Sequence, residues 1–288
     1  MSFQVTEAFV EQYSANFMTL AQQKESRLEM CVNVESGIVG ASKAIERIGA
    51  ADAYQLTSRH ADTTYVDTPH SRRWLDLYDY AWSDLVDEMD KIKMLIDPTS
   101  PYLQAGVMAL NRKKDDVIIA AMGAAARTGS GTTVFKSGNK IANGGNGMTV
   151  AKLIATKQLL DEAEVGEDEP RFIVTTSEQI SNLLSISSGL MPSSADYNTV
   201  RALVAGEIDT YLGFKFIRSE RLPKASTIRS CYAFTRNAMT LGIGKDITTS
   251  IDVLPTKNQS VQVYARMSLG AVRMEEERIV QIDCVETA

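Results

Sequence analysis

The chain has little of what catalysis, metal binding or membrane insertion would need. Its 288 residues hold two histidines, His60 and His70, ten apart with no cysteine beside them. A zinc site draws on clustered His, Cys or carboxylate ligands, and a histidine acid–base centre needs a partner group. Neither is offered. The three cysteines, Cys31, Cys231 and Cys284, lie far apart, form no CxxC and sit among apolar or small neighbours. That pattern reads as buried free thiols, not a disulfide framework. No run approaches the roughly 18 to 20 apolar residues of a membrane span. The opening "MSFQVTEAFVEQYSANF" lacks the basic stretch and apolar block of a secretory signal, so the protein is expected to be made and used in a cytoplasm. Positive charge is short as well: 30 Lys and Arg against 36 Asp and Glu give a net charge of −6. Gripping nucleic acid through its phosphates takes a basic face, and that class is set aside.

Motifs are equally sparse. "GGNGMTVAKL" and "TGSGTTVFKSGNK" have the outline of a glycine-rich phosphate loop. Neither matches GxxxxGK[ST] behind a clear strand, so a flexible linker explains them better. "LGIGKD", 241 to 246, reads as a tight turn between strands. No GxSxG elbow occurs. The acids Asp115 and Asp116, and those of "MEEER", select no glycosidase dyad and are assigned to solvent or basic neighbours. No catalytic residue, cofactor site or metal site is assigned, and the protein is read as not an enzyme. "SRRW", 71 to 74, is a compact basic patch with an aromatic. In an acidic chain it suits bridging to acids on an adjacent subunit better than binding a phosphate.

What is present is an ordinary core-forming composition, 44% hydrophobic and 23% charged. The length allows one large or two smaller domains. Residues 5 to 24 place Val5, Phe9, Tyr13, Phe17 and Leu20 at spacings of three and four, an amphipathic helix capped by Thr6. From 26 to about 82 the chain reads as strands and loops, and "SRHADTTYVDTPHSRRW" has few apolar anchors. That stretch fits an extended two-stranded excursion, which alone is marginal in water. Residues 76 to 95 return the chain and turn helical, with Leu85, Met89, Ile92 and Leu95 on one side.

A helix over 101 to 126, capped by Ser100 with Pro101 in its first turn, is the clearest element. Its stripe is Leu103, Val107, Leu110, Val117, Ala121 and Ala125, and its length about 39 Å. Residues 127 to 147 are a glycine- and asparagine-rich boundary. A helix follows with Val150, Leu153, Ile154 and Leu160 inward, then the strand "RFIVTT" and a helix opened by a capping box of Thr175 and Glu178. "TYLGFKFIRSERLP", 210 to 223, reads as one strand that Gly213 lets bend or bulge. The segments from 231 to 286 alternate as strands of a sheet. Strand and helix in this order predict an α/β or α+β layer.

The order of arm, polar hairpin, acidic-aromatic return, spine helix, central α/β region and closing sheet resembles the major capsid proteins of tailed bacteriophages, the Hong Kong 97-type shell fold. "DEMDKIKMLIDPTSPYLQAGVMALNRKKDDVIIAAMGAAA" looks like the entry to and body of that spine, with Arg112 and Asp116 one turn apart. "GFKFIRSERLP" resembles the exit from its central domain, and "ARMSLGAVRMEEERIVQIDC" its final strands.

The resemblance implies an α+β chain divided into an N-terminal arm at 1–30 and an extended β-hairpin loop at 31–82. A peripheral domain with the spine takes 83–145 and 255–288, and an axial α/β domain takes 146–254. It implies a head protein forming hexamers and pentamers of an icosahedral shell that encloses double-stranded DNA without clinging to it. Candidate intersubunit contacts are Phe9, Tyr13 and Phe17 on the arm, Arg72, Arg73 and Trp74 on the loop, and Arg112 and Asp116 on the spine. Other copies, a separate scaffolding protein, a portal protein and decoration proteins are the implied partners, with no membrane. The virion is the implied location, after assembly in the host cytoplasm. Some relatives begin with a cleaved segment, for which a spine starting near residue 100 leaves no room, so no maturation cleavage is expected. An encapsulin-like compartment and a soluble α/β nucleotide-binding enzyme are the alternatives.

Overall fold

The structure, a computed structural model, describes residues 22–60, 62–87, 99–166, 168–183, 202, 206 and 209–286. Its elements run β1 (Asn33–Ser36), β2 (Ser42–Ile48), β3 (His70–Asp76), β4 (Tyr78–Val86), α1 (Thr99–Gly123), β5 (Ala126–Arg127), β6 (Thr132–Thr133), β7 (Lys140–Ile141) and α2 (Val150–Glu162). Then follow β8 (Arg171–Thr175), α3 (Ser177–Asn182), β9 (Thr210–Tyr211), β10 (Phe214–Arg218), β11 (Lys224–Ala225), β12 (Ile228–Thr235), β13 (Met239–Leu254), β14 (Ser260–Arg273) and β15 (Ile279–Val285). The class is α+β, as expected.

The largest layer is a sheet in the order β7-β15-β12-β8-β10-β9, with β11 beside β12. β8 is central: it pairs parallel with β10 and antiparallel with β12. All five of its residues are buried, which is why "RFIVT" shows no alternation, as expected of a strand covered on both faces. Helix α2 covers part of this sheet through Leu153, Thr156 and Leu160, all without exposed surface. Each leucine buried this way contributes about 1.5–3 kcal/mol. Thr149 caps α2 by accepting from the Lys152 N–H at 3.3 Å. Ile154, expected inward, is half exposed instead, because it sits one position beyond the buried stripe.

β15 belongs to this layer, pairing antiparallel with β12 from Ile228↔Val285 to Phe234↔Ile279. The expected grouping of 255–288 apart from 146–254 is therefore corrected. An apolar strand with both faces buried is placed by whichever sheet offers a partner edge, and sequence order does not reveal that. Gly213 also differs from the bend assigned to it. Leu212 and Gly213 both have positive φ, 52° and 83°, and they turn β9 back on β10 through Phe214↔Tyr211. Two consecutive left-handed residues fit a type I′ hairpin, so "TYLGFKFIR" is two strands. The helix after β8 is capped by Thr176, which accepts from the Gln179 N–H, one residue later than expected. Thr175 stays in the strand.

A second sheet has the order β1-β13-β14-β4. "LGIGKD" lies inside β13 rather than in a turn. A Cβ at Gly242 would overlap Leu75 and Ile38, so this glycine permits close packing. Residues 78–86 are strand, with Leu85 exposed, so the helical return is corrected there; Met89, Ile92 and Leu95 lie outside the described residues. Helix α1 begins at Thr99, so Ser100 is in its first turn rather than at the cap. Its buried positions are Gly106, Leu110, Lys114, Asp115, Ile118, Ile119 and Met122, rotated from the expected stripe. The sequence conceals this because two buried positions are charged.

By contacts, the described residues fall into two units: 22–25, 80–87, 99–112 and 247–267 in one, and 26–60, 62–79, 113–246 where described, and 268–286 in the other. In the first, Trp82 of β4 packs where a Cβ on Gly106 of α1 would overlap its indole. The second holds the seven-stranded sheet and the β2–β3 hairpin.

Candidate assembly interface

β2 and β3 pair antiparallel from Ser42↔Asp76 to Ile48↔His70. Side chains alternate between faces along a strand, so the consecutive residues Arg72, Arg73 and Trp74 are separated. Arg72 is exposed, faces Glu46 across the ladder and forms an ion pair with it. It lies 5.8 Å from the Trp74 ring centroid, with Arg127 over the same ring at 4.9 Å. Cation–π contacts of this kind contribute about 0.5–1 kcal/mol at exposed sites. Arg127 also pairs with Asp76 at 2.8 Å.

Arg73 points the other way and is 1% exposed. Its guanidinium donates to Met274 O at 3.3 Å, Thr133 Oγ1 at 3.0 Å and the Glu276 carboxylate. Arg273, fully buried, donates to Met122 O at 2.9 Å, Ala124 O at 2.8 Å and Thr133 O at 3.2 Å. Burial pushes both guanidinium pKa values down, and the negative charge of Glu276 opposes it. Arg47 also donates to Met274 O. Arg73 is thus committed within its own chain, and the expectation that it reaches another subunit does not survive its burial. It ties the hairpin base to the strands behind it.

The other end of the hairpin differs. Residues 49–60 and 62–67 have no strand or helix and are all exposed. Tyr65 is 91% exposed and Leu56 72%. Such a segment joining paired strands is long for a connection within a compact domain.

Arg112 and Asp116, one turn apart on α1, bind different segments. Arg112 donates to Gln22 Oε1 at 2.7 Å and Gln23 O at 3.3 Å, beside Asn111, which donates to Lys24 O at 3.0 Å. Asp116 forms a two-pronged ion pair with Arg221. Sequence reasoning missed Asp115. It is fully buried and accepts from Ser26 Oγ at 2.6 Å and from the N–H groups of Arg27 and Leu28 at 3.1 and 3.2 Å. Lys114 pairs with Glu29 and Asp246, each at 3.2 Å. The missed signal was two charged residues in an otherwise apolar helix face. Phe9, Tyr13 and Phe17 lie outside the described residues.

The glycine-rich loop before α2 holds its own chain. Lys152 Nζ donates to Asn146 O, Gly147 O and Asp283 O at 2.9–3.0 Å, and Met148 N–H is taken by Gln179 Oε1 at 2.8 Å. Burial lowers the Lys152 pKa. Cys31, Cys231 and Cys284 are free and buried, as expected. The Cys231 thiol donates to Cys284, pulling the Cys284 pKa down and pushing its own up. Among the described residues no cluster of His, Cys, Asp and Glu could hold a metal, and no helix is long and apolar enough to cross a membrane.

A clamp at the far end of the sheet was also missed. Glu286 accepts from Arg229 Nε at 3.1 Å, Thr176 Oγ1 at 3.0 Å and Gln179 Nε2 at 3.5 Å. Hydrogen bonds from Arg229, opposed by burial, bring its pKa to about 2.

The described residues hold an extended hairpin, a long helix and a broad central sheet, and no cluster of metal ligands among them. The phage capsid protein family matches residues 5–286, and the chain belongs to it. It is a structural major capsid protein, not an enzyme. No curated protein sequence matches it. The capsid protein of Ralstonia phage GP4 is similar in fold, with a TM-score of 0.76 at 9% identity over 97% of this chain and 96% of the other. The cyanophage Pam1 capsid subunit superposes with a TM-score of 0.72 at 13% identity over 99% and 98%. That of cyanophage P-SCSP1u gives 0.71 at 14% over 100% and 96%. The Hong Kong 97-like assignment stands, the protein is a virion component that assembles with itself into a shell, and the encapsulin alternative is not favoured.

Proposed function

We propose that copies of this chain form hexamers and pentamers of an icosahedral head around double-stranded DNA, with the β2–β3 loop of each copy lying across the next. The observation that carries this reading is the exposure of residues 49–60 and 62–67, with Leu56 and Tyr65 bare. Such apolar surface in a soluble subunit favours a protein–protein contact. Many modest contacts summed over a closed lattice then give a durable shell. Arg72 and Trp74, on the exposed face of the hairpin, join this contact; Arg112 and Asp116 act by holding the arm stem and Arg221, while Phe9, Tyr13 and Phe17 contact a neighbour. A net charge of −6 suits a wall that encloses DNA without holding it tightly. A separate scaffolding protein, a portal and decoration proteins complete the proposed set, and assembly takes place in the host cytoplasm. Electron microscopy of the purified chain, alone and co-expressed with its scaffold, tests this. Closed shells or hexameric sheets are expected, and a monodisperse monomer under every condition would overturn it.

A further inference from the structure

The glycine-rich turn ahead of α2 holds chemistry that shell assembly does not use. "NGGNG", 143 to 147, contains two Asn-Gly steps. At such a step the backbone nitrogen after the asparagine can attack the side-chain amide carbon, because glycine has no Cβ to block the approach or restrict the backbone. The peptide plane between the two residues must turn to bring nitrogen and carbon together. How firmly that plane is held therefore sets the rate.

The two planes are held differently. The oxygen of the Asn146–Gly147 plane accepts from Val285 N–H of β15 at 3.0 Å and from Lys152 Nζ of α2 at 2.9 Å. Lys152 Nζ also donates to Gly147 O at 2.9 Å. A Cβ on Gly147 would overlap the Asn182 amide, so this residue is packed as well as bonded. The oxygen of the Asn143–Gly144 plane accepts from Asn146 N–H at 3.0 Å, a bond that closes the turn itself and ties it to no other element. Gly144 and Gly145 are both left-handed, with φ of 56° and 75°, and a Cβ on either would meet nothing within 4 Å. Exposure points the other way, since Asn146 is exposed and Asn143 half-buried. Anchoring decides, because ring closure is internal to the chain and needs a free backbone more than open solvent.

We infer that Asn143 is a site of spontaneous deamidation in the folded chain and that Asn146 is protected. The Gly144 nitrogen loses its proton and bonds to Asn143 Cγ, the Cγ–Nδ2 bond breaks, and ammonia leaves. Water then opens the resulting succinimide to aspartate or isoaspartate. Water is the sole co-reactant, and nothing is oxidised or reduced. Each event adds a negative charge to a chain whose net charge is already −6, and isoaspartate also lengthens the main chain in the turn that leads into α2. The inference stands apart from the shell reading.

Peptide mapping of the full chain by mass spectrometry tests it, after incubation in warm, mildly alkaline buffer and digestion at acid pH. Two hydrogen bonds to distant elements must break at Asn146, so conversion at Asn143 should be about tenfold faster or more. Equal or faster conversion at Asn146, or no conversion at Asn143, would overturn the assignment. In urea both planes are free and the two rates should converge. A preference for Asn143 that persisted there would belong to local sequence and would overturn the structural argument. Asn143→Gln, whose longer side chain closes a ring far more slowly, should remove isoaspartate from this peptide. Undiminished isoaspartate would place the reaction at Asn146 and contradict its protection.

Discussion

The β2–β3 hairpin passes from one environment to another. At its base Arg73 and Leu75 are buried, Ala126 and Val272 pack around Leu75, and Glu276 holds Arg73. Residues 49–60 and 62–67 are exposed among the described residues, and Tyr65 is almost wholly in solvent. The base is held as a core is held, by burial and satisfied polar groups. Among the described residues the tip has no such support, and the assembly proposal gives its apolar residues to contacts between molecules. The comparison separates residues that hold the subunit from residues that the proposal assigns to the shell.

The largest expected loss of subunit stability is in the central sheet. Phe234, fully buried with its ring 5.8 Å from that of Phe172, should cost about 3–5 kcal/mol when changed to Ala, read as a lower urea midpoint. Arg73→Ala comes next. It removes the tie between the hairpin base and Glu276 and should cost about 2–3 kcal/mol, less than a full buried-pair loss because Arg273 remains near that carboxylate. Amide exchange should quicken in β2 and β3 and stay slow in β8 and β12. Uniform quickening across the sheet would deny the base its local role.

Glu286→Gln should cost about 1–3 kcal/mol through the lost charge-assisted bonds to Arg229. The Glu286 pKa is lower folded than unfolded, so its contribution is complete above the ordinary value near 4.5 and is lost as pH falls toward about 2. Acid titration of wild type and variant should therefore converge across that window. Stability curves that stay parallel through it would contradict the clamp. Tyr65→Ser has the smallest effect on the subunit, within about 0.5 kcal/mol, together with loss of shell formation. A variant destabilised like Phe234→Ala would show that the tip also packs inward.

Much of the fold was legible because it follows from local pattern. The spine helix, α2 and the polar excursion all announced themselves through periodicity or composition. What was hidden involved partners far away in sequence. β15 reads as an apolar strand wherever it lies, and only its ladder with β12 fixes its layer. "SRRW" showed a basic patch, but a strand sends Arg72 and Arg73 to opposite faces, and the depth of Arg73 depends on Glu276, some two hundred residues on. Asp115 looked like surface charge because its partners at Ser26, Arg27 and Leu28 come from the stem preceding the hairpin. Gly213 was recognised as a special position, but its left-handed neighbour Leu212 gives no warning in sequence.

The most direct test replaces residues 50–68 with a short Gly-Ser turn that still joins β2 to β3. Circular dichroism should show a folded subunit of nearly unchanged urea midpoint, and electron microscopy of the chain co-expressed with its scaffold should show no closed shells where the full chain forms them. Normal shells from the shortened chain would contradict the assignment of assembly to the loop.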